Sequence, residues 1–89
     1  MYQVISKIST HHTLGHLYNF GLNVKAHGNG AYTGTLHFET EEEAKEHLRS
    51  RADVLAEDED DLKDKYADIE NGYLRHDAAT ANIEQVEED

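Results

Sequence analysis

Tyr18-Asn19-Phe20-Gly21-Leu22-Asn23-Val24-Lys25-Ala26 carries an apolar side chain at every even position, and Tyr32, Leu36 and Phe38 repeat the alternation against Thr33, Thr35 and His37. A period of two reads as strand with one buried face. Between the two runs lies His27-Gly28-Asn29-Gly30. Asn-Gly ordinarily marks a two-residue turn, but such a turn here sets Val24 opposite Thr35 and mixes the faces. A three-residue loop, Gly28-Asn29-Gly30, pairs Phe20 with Phe38 and Leu22 with Leu36, so the buried face selects the longer loop and makes Gly30 the left-handed residue. Working outward, Tyr2–Ile8 reads as a third, weaker strand, and the stretch Ser9 to Leu17 as a loop or one helical turn.

The remainder reads as helix. Thr40 followed by Glu43 has the spacing of a capping box, and Glu41, Glu42 and Glu43 suit the positive end of a helix dipole. Leu48, Leu55, Leu62 and Ile69 recur every seven residues, and Ala44, Tyr66 and Tyr73 share their arc. Because Glu59 falls on that arc and five acids adjoin from Glu57 to Asp61, the pattern predicts two helices, about 41–56 and 59–71, with a joint near Glu57–Asp58. Asn71-Gly72 is the stop. Asp77 is then placed to cap a short last helix through Ala79, Ile83 and Val86, with residues 87–89 frayed. The expected fold class is α+β: a small antiparallel sheet of about three strands in the N-terminal half, packed on two or three amphipathic helices, as a single domain over 1–89.

Size and charge narrow the function classes. With 89 residues the chain supports one modest core. It has no Cys, which excludes a disulfide framework, a thiolate zinc site and a Cys nucleophile. No apolar run approaches the ~20 residues of a membrane span and no signal peptide opens the chain, so the expectation is a cytoplasmic protein without a membrane partner. Residues 1–38 hold Lys7, Lys25 and no acid, whereas residues 39–89 hold all 19 acids and six bases. The folded object therefore has an acidic side and a near-neutral side, and its net charge of −11 argues against direct nucleic-acid binding.

On a helical wheel Glu42, Glu46, Asp53, Glu57, Asp60, Asp64 and Asp68 share an arc of roughly 80° opposite the apolar arc. Neighbours in such a row stand ~5–6 Å apart at Cβ. A row of like charges repels itself yet speeds encounter with a basic groove. These seven are the candidate partner-binding residues; the bland alternative is a solvated face. A Cys-free chain under 100 residues, with a short antiparallel sheet followed by helices bearing those acids, resembles the small anti-defence proteins of bacteriophages, among them anti-CRISPR and nucleic-acid-mimic inhibitors. The resemblance lies in general layout. It implies a non-enzymatic inhibitor in the host bacterial cytoplasm whose partner is a basic, nucleic-acid-handling protein or complex.

Other constellations carry less. His11, His12 and His16 offer an i,i+4 pair plus a neighbour, but no acid lies in the first 38 residues to complete a metal site. His37, His47 and His76 read as surface side chains. Gly28, Gly30 and Gly34 sit in a hairpin, not between strand and helix as a dinucleotide fingerprint requires. Ser9 or Thr10 beside His11 lacks an orienting acid. Tyr2 and Tyr32 are candidate interface anchors. No catalytic, metal or cofactor site is assigned. Two further readings stay open: a homodimeric regulatory module joined along the Leu48-Leu55-Leu62-Ile69 seam, and an acidic domain of a salt-adapted organism.

Overall fold

The computed structural model describes residues 1–8, 15–76 and 79–87. Its elements are β1 (Tyr2–Ile8), α1 (Gly15–Asn19), β2 (Asn23–Ala26), β3 (Tyr32–Phe38), α2 (Glu41–Leu55), α3 (Glu59–Glu70), β4 (Tyr73–His76) and β5 (Ala79–Gln85). The strands form one antiparallel sheet in the order β2-β3-β1-β5-β4. Without β4 this is the split β-α-β-β-α-β arrangement, in which the first strand sits inside the sheet.

The class α+β holds, but among the described residues the strands number five instead of the expected three. The C-terminal hairpin supplies both additional strands, and the start of β2 also differs from expectation. Residues 73–76 and 79–85 form a hairpin that extends the sheet, where a helix from Asp77 through Ala79, Ile83 and Val86 was expected. Asp77 itself lies outside the described residues. The expected strand start at Tyr18–Phe20 is instead the end of α1 and its turn. There Gly21 adopts φ 69°, its N–H bonds Tyr18 O at 2.9 Å and the Leu22 N–H reaches Leu17 O at 3.4 Å, a glycine-terminated helix end. Leu17 and Phe20, three apart, are both fully buried, which a helical turn permits and a strand does not.

The hairpin register matches the parity argument. Asn23 faces Thr35 and Ala26 faces Tyr32, the His27 N–H bonds Ala31 O at 2.8 Å, and Gly28–Gly30 forms a short 3₁₀ turn with Gly30 at φ 74°. α2 and α3 likewise lie within a residue of their expected limits, with the chain turning at residues 56–58.

The core lies between one sheet face and the helices. Val4, Leu74, Ala79 and Ala81 from the sheet meet Ala44, Leu48, Ala52 and Ile69 from the helices, with Phe20 and Leu22 closing one end. Leu36, Phe38, Leu55, Leu62 and Ile83 pack around it half-buried. Side chains on the opposite sheet face, including Lys7, Lys25, His37, Asn82 and Glu84, are exposed, and no described helix covers them. No helix among the described residues is long and apolar enough to cross a membrane.

Candidate acidic binding face

The acidic side of the molecule is the α2–α3 hairpin, held by its own ends. At the start of α2 the Glu43 N–H donates to Thr40 Oγ1 at 3.2 Å, and that hydroxyl donates to Glu43 Oε1 at 3.2 Å. At the start of α3 Asp58 caps by accepting from Asp61 N at 2.8 Å, and Asp61 Oδ2 accepts from Glu57 N at 3.1 Å. Four of the five adjacent acids thus serve or adjoin a helix N-terminus, where the dipole offsets part of their repulsion. The Asp61 carboxyl is held below its ordinary value by the Glu57 amide first and Lys65 second.

The two helices run antiparallel, since α2 Arg49 reaches Glu70 and α2 Asp53 reaches Tyr66. Arg49 is the centre of one group. Its Nη1 donates to Glu42 Oε1 at 2.8 Å and to Glu46 Oε1 at 3.1 Å, while Nη2 donates to Glu70 Oε1 at 3.1 Å. The guanidinium hydrogen bond holds Glu42 below its ordinary value. One turn on, the Tyr66 hydroxyl donates to Asp53 at 2.5 Å, which raises the phenol's pKa because the carboxylate stabilises the protonated form.

The second group lies on the other flank of α3. At 100° per residue Asp60, Asp64 and Asp68 stand well away from Tyr66 and Glu70. A hollow of about 310 Å³ there is lined by Asp61, Asp64, Lys65, Asp68, Arg75 and His76. Lys65, buried, bonds Asp61 at 3.2 Å, and Arg75 lies 3.6 Å from Asp68.

Of the seven candidate residues, the structure therefore brings Glu42 and Glu46 together on Arg49 and Asp64 and Asp68 together around the hollow, with Asp53 on Tyr66. It does not bring the two groups into one row. Glu57, Asp60 and Asp64 make no ion pair among the described residues, nor do Asp58 and Glu59. The role of Arg49 was legible in its spacing, three after Glu46 and seven after Glu42, but its third partner Glu70 comes only from the turn between helices.

The histidine readings divide. His11 and His12, with Ser9 and Thr10, lie outside the described residues, as does the side chain of His16. His47 is not a plain surface residue: its Nε2 lies 2.8 Å from Phe20 O and its ring stands 5.4 Å from that of Phe38. Beside it Arg51 Nε donates to Asn19 O at 2.6 Å, so two α2 side chains satisfy carbonyls at the end of α1. Among the described residues no group of His, Asp and Glu is arranged to hold a metal ion.

Comparison with known proteins finds nothing similar: no family model matches the chain, and neither a curated protein nor a solved structure matches it.

Proposed function

We propose that this chain is a non-enzymatic inhibitor that binds a basic, nucleic-acid-handling surface of a host defence protein or complex, in the manner of the phage anti-defence proteins its layout resembles. The observation that supports this reading is the unpaired charge at one end of the helical hairpin: Glu57, Asp58, Glu59, Asp60 and Asp64 have no ion-pair partner among the described residues. On α2, by contrast, Arg49 already engages Glu42 and Glu46. Unpaired carboxylates on rigid helix turns are the ones that exchange water for a partner's Arg or Lys without first breaking an internal bridge. The binding end is thus narrower than the seven-residue row, and is centred on Glu57, Asp60 and Asp64.

The test is a variant with Asp53→Asn, Glu57→Gln, Asp60→Asn and Asp64→Asn together, which removes four charges at nearly constant shape. A target captured at low salt is first shown to bind DNA or RNA in competition with the chain. Surface-plasmon kinetics then compare wild type and variant at two salt concentrations. The expected result is an on-rate that falls steeply with salt for wild type and loss of binding in the variant. Undiminished affinity in the variant rejects the proposal and leaves the acids a role in solubility alone. The leucine seam offers no competing surface, because Leu48 and Ile69 are fully buried and Leu55 and Leu62 pack on the core.

A further inference from the structure

The sheet has two outer strands, and the charge around them differs. β4 lies beside the acidic hollow, with Arg75 close to Asp68. β2 lies in the acid-free half: residues 1–38 contain no Asp or Glu. Two molecules of net charge −11 can approach closely only where neither presents acids. The outer edge of β2 is built entirely from that acid-free half, and among the described residues no strand pairs with it.

The hydrogen-bond alternation fixes which groups this edge presents. His27 N–H bonds Ala31 O across the hairpin, so Lys25 and Asn23 also direct their backbone groups at β3. Val24 and Ala26 therefore direct theirs outward. The Leu22 N–H is already bonded to Leu17 O, which leaves only its carbonyl. Val24 is half-buried and Ala26 exposed, so the edge carries modest apolar surface, and Tyr18 of the adjoining α1 is 60% exposed.

We propose that this edge pairs with the same edge of a second copy, antiparallel across a two-fold axis, giving one continuous sheet. Of the registers that keep the helices of both copies on one side of that sheet, two overlap the strands most fully. In one, Lys25 opposes Lys25 of the other copy, a like-charge pair that destabilises. In the other, Val24 lies on the axis opposite its own counterpart and Asn23 opposes Lys25. The second is the register assigned here. The two Val24 residues exchange both N–H···O bonds, and each Ala26 N–H reaches the Leu22 carbonyl across the interface. The edge is short, so the dimer is weak and forms with rising concentration. Because the remaining charge repels, added salt tightens it.

Sedimentation equilibrium across a concentration and salt series tests this. Wild type is expected to show a monomer–dimer equilibrium that tightens with salt. Val24→Pro removes an outward N–H and leaves the β3 ladder intact, a position where an edge strand tolerates proline. It should weaken association about tenfold or more at a nearly unchanged melting temperature. Ala26→Pro repeats the test should the first variant misfold. The chain has no Cys, so oxidised single-cysteine variants report the register. Val24→Cys should link to itself, since paired Cα atoms ~5.5 Å apart suit a disulfide. A mixture of Asn23→Cys with Lys25→Cys should link more than either variant mixed with His37→Cys, which lies on β3. A monomer at every concentration and salt overturns the proposal. So does a dimer that persists in both folded proline variants, or cross-linking no greater than that of His37→Cys.

Discussion

Ser6→Ala should make this protein more stable. Ser6 lies in β1, opposite Gly34 of β3, and is 2% exposed. Among the described residues its hydroxyl has no hydrogen-bond partner. It faces the helix side of the sheet, beside the region where Leu17 and Leu22 close over Gly34. Leaving a buried hydroxyl unpaired costs about 1–3 kcal/mol relative to its hydrated state. Alanine keeps the Cβ and removes only the oxygen, so what is lost is the dispersion of one atom, about 0.1–0.2 kcal/mol per contact. The net expectation is about 1 kcal/mol of added stability, or a rise in Tm of about 4–8 °C for a domain of this size. Urea titration should show a higher midpoint at an unchanged m value, since the surface exposed on unfolding is the same. A lower Tm for Ser6→Ala would refute the reasoning, because it would mean that the hydroxyl has a partner such as a buried water.

Gly34→Ala tests the same spot with opposite sign: the new Cβ would meet Leu22 Cβ at 2.9 Å and Cδ1 at 3.2 Å, so thermal melts should show a loss of about 1–3 kcal/mol from overpacking. Asp53→Asn should lower the pKa of the Tyr66 phenol toward its ordinary 10.0, because the hydrogen bond to the carboxylate is the main cause of its rise; ultraviolet titration of the two proteins reads this as a shift in the last tyrosine to ionise. Glu42 and Asp61 are both held below their ordinary values, so their pairing stabilises the fold above those values and is lost as pH falls through the depressed ones. Arg49→Gln removes the cause at Glu42, so the variant should lose less Tm than wild type between about pH 7 and about pH 3, an equal loss counting against the clamp.

What the sequence determined by itself was local. Parity of the apolar positions set the loop at Gly28–Gly30 and the β2–β3 register, because a slip of one residue turns every side chain to the wrong face. Thr40 and the acids around Asp58 fixed both helix starts, since a cap is satisfied within a few residues. The uneven distribution of charge was legible too, and the fold keeps the acid-rich helices on one side of the sheet. Tertiary structure decided the rest. Ala79-Thr80-Ala81-Asn82-Ile83-Glu84-Gln85 alternates with period two, while Ala79, Ile83 and Val86 also fit one helical face, so periodicity alone does not choose. The choice is made by β1: its even residues bond β3, and its odd residues need a second partner, which β5 supplies from Gln3↔Glu84 to Ile5↔Asn82, with Val86 N–H on Met1 O beyond. On one continuous wheel the seven acids form a single row, but the turn at residues 56–58 folds that wheel back on itself. Only then does Arg49 find Glu70, leaving the unpaired carboxylates at the turn and along the far flank of α3.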